Sequence, residues 1–389
     1  MKKYLVLVPV LLFVLIGGFI IGFTTNNSKS LTDFVKGEEN SETLALQVTK
    51  EAQQRIYEDL GAGWNLGNAL DVLPKERLGA KSETYWGNPK VTKELFAAVK
   101  KAGFKSVRIP VTWETHEGNN YWIEDDWKKR VTQVVDDALD EDLRVIIDVH
   151  HDSFFTPTKA NYAYASKTII NLWTQIGHMF EKYDDRVIFE GMNEPRLPIS
   201  ESATDEETWL AWMQGTTESR ETVDKLNLDF LTTVRNLGGK NTTRLLLLAT
   251  YMDSSEETVI KTLPPTIYRN VAISIHMYGN EVFDMNGETT YRKMNDDSEK
   301  QLKDYINSIQ ALNEKGYPAI LTEFGSSHVN DKEQFNYLKE IIQTSKENDI
   351  PYFWWDNGVI EKGEEGGFAL FDRETEKVVQ PKMVRALTK

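Results

Sequence analysis

Two carboxylates stand where apolar runs stop. Glu194, between Asn193 and Pro195, closes "VIFEGMNEPR" (Val187 to Arg196), and Glu323 lies in "AILTEFG", which starts at Ala319. An ordinary strand terminus carries turn formers and has no need of a paired Asn and Glu. Other apolar runs end in the same manner: one in Asn65, Asn68 and Asp71, one in Arg108, and one in His150, His151 and Asp152. Further runs end in His276 and Tyr278, in Glu323 with His328 beyond it, and in Trp354, Trp355 and Asp356. Four of the six histidines occupy three of these ends. Stability alone would place apolar residues there.

Three chemistries could use such a set. Metal-assisted hydrolysis needs two or three His ligands and a carboxylate, which "DVHHD" and His276 could supply. Adjacent residues on a strand point to opposite faces, so His150 and His151 are not expected to aim inward together. Schiff-base or phosphate chemistry needs an inward Lys or a Gly-rich anion loop, and no run ends in either. The third chemistry uses two glutamates. One, kept protonated, gives its proton to a leaving oxygen, and the other, ionised, attacks an anomeric carbon or activates water. Arg108 would hold the second as an anion, Asn193 can hydrogen-bond a sugar hydroxyl, and a tryptophan suits the apolar face of a pyranose.

The elements that must position these residues alternate. From about Leu46 onward, eight short apolar runs are each followed by a segment of helical period. The runs are "GWNLG" from Gly63, "SVRIPV" from Ser106, "RVIIDVH" from Arg144, "VIFEGMN" from Val187, "RLLLLAT" from Arg244, "VAISIHMY" from Val271, "AILTEFG" from Ala319 and "YFWWDN" from Tyr352. Near-continuous apolar character fits strands covered on both faces. Asn88 with Pro89 reads as a helix start, and Gly103 and Gly316 as helix stops. Strict alternation forces parallel pairing with right-handed crossovers, so the expected fold is α/β, a single (β/α)8 TIM barrel over 46–389. An open doubly wound sheet is the runner-up, but "GWNLGNALD" lacks the G-x-G-x-x-G spacing it would want. In a barrel the ends listed above converge on one mouth, to which the fifth strand is expected to add little.

The chain has 389 residues, 40% hydrophobic and 27% charged, an ordinary globular composition. A formal charge of −15 disfavours nucleic acid or an anionic membrane surface as partner; a neutral substrate fits better. Residues 2–23 place two lysines before a long apolar run, so 1–25 reads as an export signal or an uncleaved membrane anchor, followed by a polar tether over 26–45. The expected location is extracellular, free or held by that anchor. With no cysteine there is neither a disulfide nor a thiolate–metal framework.

The ordered motifs "GWNLGNALD", "VRIPVTW", "VIIDVHHD", "FEGMNEPR", "SIHMY", "LTEFG" and "FWWDNG" resemble glycoside hydrolase family 5, in particular its bacterial subfamily 4 cellulases. The resemblance runs from about Gly61 to the C-terminus. It implies a barrel that cleaves β-linked glycans with retention, without metal or other cofactor. It makes Glu194 the acid/base and Glu323 the nucleophile, steadied by Arg108 and Tyr278. It places His150, Asn193 and His276 around the sugar being cleaved, Trp355 beneath it, and Asn68, Asp71 and His151 at the neighbouring sugar. Outer contacts are expected from Trp86, His116, Tyr164, Trp209 and Trp212. The expected activity is that of a monomeric endo-β-1,4-glucanase, with xyloglucanase or mixed-linkage glucanase as alternative and a silent glycan-binding protein as the reading from another class. Since the chain ends soon after the eighth helix, no binding module is expected and crystalline cellulose should be a poor substrate.

Overall fold

The computed structural model describes residues 46–389 except 48, 76–77, 117–120, 200–210, 265, 267, 279–280, 284–288, 292–295 and 361–366. The expected leader and tether, and Trp209, lie outside the described residues. Among the described residues no helix is long and apolar enough to cross a membrane.

Eight parallel strands close into a barrel: β1 Ala62–Leu66, β2 Ser106–Ile109, β3 Arg144–Ile147, β4 Val187–Glu190, β5 Leu246–Ser254, β6 Val271–Met277, β7 Ala319–Phe324 and β8 Tyr352–Asp356. Each pairs with the next, and β8 pairs with β1. The helices α1 Lys93–Ala102, α2 Asp125–Asp140, α3 Tyr162–Met179, α4 Thr217–Asn236, α5 Glu257–Ile260, α6 Asp296–Glu314, α7 Lys332–Glu347 and α8 Pro381–Thr388 alternate with them. A short hairpin, Glu281–Phe283 with Thr289–Tyr291, lies between β6 and α6 and was not anticipated. The start of α1 also differs from expectation. Its cap is Thr92, whose side chain accepts from the Leu95 N–H, and Gly103 ends it at φ 106°. Asn88 instead donates to the carbonyls of Asn68 and Asn357, tying two loops at the barrel mouth.

The period of two along each strand sorts the barrel interior into layers. The lowest is apolar, with Ile146, Ile188, Leu247, Ala272, Ile320 and Phe353 closed from below by Leu60. Burying each of the larger aliphatic side chains contributes about 1.5–3 kcal/mol. Two residues further along the strands come Asp148, Glu190, Ser274 and Thr322, joined by Asn65 and Arg108, all fully buried. This polar layer carries the mouth.

One irregularity decides where Glu323 points. Along β7, Leu321 and Phe324 face Tyr352 and Trp354 of β8, while Leu321 and Glu323 face the consecutive Ile275 and His276 of β6. Thus β7 holds one extra residue against both neighbours, a bulge that lets adjacent Thr322 and Glu323 both reach the interior. The Asn65 amide bonds the carbonyls of Thr322 (2.9 Å), Trp354 (3.2 Å) and Phe353 (3.3 Å), satisfying backbone groups where the ladder breaks.

Candidate active site

Arg108 is the hub. Its Nε donates to Glu190 Oε2 (2.6 Å), its Nη1 to Glu323 Oε1 (2.5 Å) and Asn65 (3.1 Å), and its Nη2 to Asn193 Oδ1 (2.8 Å) and Glu190 Oε1 (3.2 Å), with Asp148 as an ion-pair partner 2.7 Å from Nη2. A guanidinium fixed on this many sides presents Glu323 in one orientation. The Tyr278 hydroxyl donates to the other oxygen of Glu323 at 2.6 Å. Burial and the Glu323 charge push the Tyr278 pKa well up, so the phenol stays a donor.

Glu194 sits opposite, on the turn after β4. Its Oε1 is 2.9 Å from His276 Nδ1 and its Oε2 accepts from Arg196. Burial pulls its pKa up, but the Arg196 and His276 cations outweigh burial and hold it below the usual carboxylate range. Burial would lower the His276 pKa, yet Glu323, Glu194 and Asp253 push it up to about 9. His276 is therefore an imidazolium wedged between two carboxylates, its Nδ1 also 3.7 Å from Glu323 Oε2. One ligand-capable atom from each of Glu194, His276 and Glu323 lies within 4.8 Å of the others.

Beside this pair lies an aromatic wall. The His150 ring lies parallel to the Trp355 indole, 5.8 Å between centroids and 4° between planes. Gly67 makes room for it, since a Cβ there would stand 2.8 Å from the indole. His150 Nδ1 is 2.8 Å from Asp148. Burial lowers the His150 pKa to about 3, so the ring is neutral, donating from Nδ1 and keeping Nε2 as an acceptor. Asp148 itself is raised by burial to about 6, with Arg108 opposing.

His151 meets His150 with centroids 4.5 Å apart and Trp86 at 5.7 Å. His150 is buried and His151 exposed, in keeping with the expectation that they do not both aim inward, although their rings meet edge to face. β3 ends at Ile147, so strand alternation no longer governs them. Asp71 is fully buried and its carboxylate takes the N–H groups of Asn68 (2.9 Å) and Ala69 (2.7 Å), with Asn68 at φ 55°. It shapes the turn that carries Asn68, and one of its oxygens also lies within 4.8 Å of ring nitrogens of His150 and His151.

Several of the expected residues have protein partners of their own. His116 is buried, stacked on Trp127 with centroids 3.6 Å apart, a packing residue. Trp354 is buried and donates to the Phe368 carbonyl, and Asp356 takes the Trp64 indole N–H and Arg373. Trp212 donates to the Leu197 carbonyl with Arg196 over its ring, while Tyr164 pairs edge-on with Tyr121. Sequence reading missed Asp148 and Glu190, which look like single polar interruptions of apolar runs, and Asp253. β5 continues past Thr250, and the Asp253 carboxylate receives the Glu194 N–H at 2.6 Å.

Three groups of ligand-capable side chains occur among the described residues: Asp71, His150 and His151; Glu190, Asp253 and His276; Glu194, His276 and Glu323. Each is already engaged. Asp71 serves backbone N–H groups, Glu190 serves Arg108 and Ser274, and the third group holds the cationic His276.

Comparison with known proteins agrees with this geometry. The family model for cellulase (glycosyl hydrolase family 5) matches residues 74–360. Endoglucanase A of Clostridium longisporum is 36% identical over 84% of the chain, which spans only 64% of that protein's length. Among solved structures, a GH5 xyloglucan-specific endo-β-1,4-glucanase from a metagenomic library, in complex with cellotriose, superposes with a TM-score of 0.78 at 30% identity, covering 87% of this chain and 99% of that one. A GH5-4 broad specificity endoglucanase from Clostridium longisporum gives 0.75 at 34% identity, covering 86% and 97%. With the family model spanning most of the barrel and the two glutamates facing each other at its mouth, the chain belongs to glycosyl hydrolase family 5 and is a glycoside hydrolase.

Proposed function

We propose that the protein is a retaining endo-β-1,4-glucanase acting on soluble β-glucans. The observation that carries the reading is the short gap between Glu194 and Glu323, whose nearest ligand-capable oxygens lie within 4.8 Å. Retaining glycosidases hold their carboxyl groups about 5–5.5 Å apart, whereas inverting ones leave about 6.5–9.5 Å for a water. Glu323, oriented by hydrogen bonds from Arg108 and Tyr278, attacks the anomeric carbon while Glu194, protonated once substrate is bound, gives its proton to the leaving oxygen. The glycosyl ester on Glu323 is then opened by water, whose proton returns to Glu194. The two carboxylates and their supports argue against a silent glycan-binding protein, which needs neither.

The Trp355 indole offers an apolar platform, and neutral His150 and the Asn193 amide offer polar contacts to a sugar ring. Likeness to a xyloglucan-specific enzyme supports a second reading, in which branched glucans are accepted too. Residues 1–25 as leader or anchor and 26–45 as tether support a secreted or surface-held enzyme. NMR of the first products should show the β-anomer before mutarotation, and a 2-fluoro glycoside inactivator should label Glu323. Initial α-anomer would mean inversion and would remove Glu323 from the nucleophile's role.

A further inference from the structure

The end of β5 departs from strand geometry where it meets the acid/base. Met252 and Asp253 both lie in the left-handed region, φ 60° and 46°, as does Glu194 at φ 44°. Non-glycine residues persist there only where their surroundings over-determine them. Here two bonds do so: Met252 N–H to the Pro195 carbonyl (3.0 Å) and Glu194 N–H to Asp253 Oδ2 (2.6 Å). The same strand end pairs with β6, placing Ser254 opposite His276.

Asp253 is fully buried, and its Oδ2 lies 3.8 Å from His276 Nε2. Neither Asp253 Oδ1 nor His276 Nε2 has a hydrogen-bond partner among the described residues. Buried polar atoms left in this way are uncommon and call for an explanation. A bound cation is a poor one, because the third group at this point, Glu190, commits both oxygens to Arg108 and Ser274. The gap is less than one ångström wider than a hydrogen bond.

We propose that Asp253 is the positioning residue of the acid/base. Its carboxylate fixes the backbone of Glu194 and faces the Nε2 edge of His276, so that His276 keeps its Nδ1 proton directed at Glu194. The inference rests on the reading of Glu194 as acid/base. His276 is faced by Glu194 and Glu323 at Nδ1 and by Asp253 at Nε2; Asp253 is faced by His276, Glu190 and the Glu194 carboxylate. Burial, with the Glu190 and Glu194 charges, pushes the Asp253 pKa well up while the His276 cation opposes. Paired with that cation Asp253 is the anion, and an anion behind the ring favours its doubly protonated form, in agreement with the raised His276 pKa. Without that anion the ring is free to lose a proton or turn, and Glu194 loses its aim.

The test compares Asp253→Asn, Glu194→Gln and the double variant, in the full chain, on barley β-glucan and on 2,4-dinitrophenyl β-cellobioside, whose leaving group needs no proton. Asp253→Asn should lower kcat on β-glucan about tenfold to a hundredfold with KM unchanged, less than the roughly 10²–10⁴-fold that general acid catalysis contributes as a whole, because Glu194 itself remains. The burst of dinitrophenol should keep its rate, and the double variant should be no slower on β-glucan than Glu194→Gln alone. Equal losses on both substrates, or losses that multiply in the double variant, would make Asp253 merely structural and overturn the inference. Wild-type activity of Glu194→Gln on β-glucan would instead remove the acid/base reading itself. A measurement free of variant folding is 15N NMR of histidine-labelled wild type, with His276→Gln used only for assignment. A proton on His276 Nε2 at pH 7 is expected, and a bare Nε2 refutes the proposal.

Discussion

Replacing Arg196 by methionine should move the alkaline limb of the pH–rate profile upward. In the free enzyme Arg196 and His276 each occupy one oxygen of Glu194, yet the first chemical step needs Glu194 with a proton. Two unit charges about 4 Å apart interact with about 4 kcal/mol at an effective dielectric constant near 20. The Arg196 side chain is 39% exposed, and solvent screening cuts its share to about 1 kcal/mol. One pKa unit corresponds to about 1.4 kcal/mol, so the expected shift is roughly half a unit to one unit. The sign is fixed. Arg196 stabilises the anion, so its loss lets Glu194 keep its proton to higher pH, and kcat/KM on β-glucan should fall off later on the alkaline side. Methionine keeps an apolar stem against Trp212, over which the guanidinium now lies 5.8 Å from the ring centre. The assay is kcat/KM against pH for both proteins at fixed ionic strength. A limb that stays in place or moves down would refute Arg196 as the group that depresses Glu194.

Two further outcomes follow from the same charges. Prolonged EDTA treatment should leave activity on β-glucan intact, because the ligand-capable clusters are committed to backbone N–H groups, Arg108 and His276; loss on chelation with rescue by a divalent ion would restore the metal reading of His150, His151 and His276. The His276 pKa is raised from 6.5 to about 9, so the stability it lends is complete below pH 6.5 and is lost as pH rises through about 9. The Tm difference between wild type and His276→Gln should therefore shrink over that window, and a difference that grows would contradict the ion-pair assignment.

The strands were legible because their apolar runs are covered on both faces, by the barrel interior and by the helices, and all eight appear where the runs were. Glu194, Glu323, Arg108, Asn193, His276 and Tyr278 were legible because strand ends rarely gather such residues without a use for them. The polar layer was not. Asp148 and Glu190 each occupy an inward position whose neighbours along the strand face the helices, so only the register of the closed barrel shows that they meet at Arg108. Asp253 was hidden for another reason. Judged by apolar character β5 ends at Thr250, and its continuation through two left-handed residues depends on bonds to Pro195 and Glu194 that are far off in sequence. His116 shows the opposite error, a residue of suitable type that packing absorbed.

The charge count within the barrel explains why Glu323 rather than a neighbour takes the nucleophile's part in the proposed mechanism. Asp148, Glu190 and Glu323 all lie 2.5–2.7 Å from Arg108, so one guanidinium serves three carboxylates. A buried carboxylate without compensation is worth several kcal/mol of penalty, which a single cation cannot offset three times over. Burial raises the Asp148 pKa, and Asp148 takes a hydrogen bond from His150; Glu190 takes one from Ser274; His276 supplies the second positive charge beside Glu323. Asp148 and Glu190 are sealed, with no exposed side-chain surface, while Glu323 retains 5% at the mouth. The two sealed carboxylates keep Arg108 from following Glu323 as its charge is spent on the sugar. In the proposed mechanism Glu323 stops supporting the imidazolium of His276 when the ester forms. The imidazolium is then supported by Glu194 at Nδ1 and by Asp253 at the Nε2 edge, at the stage when Glu194 must change from acid to base.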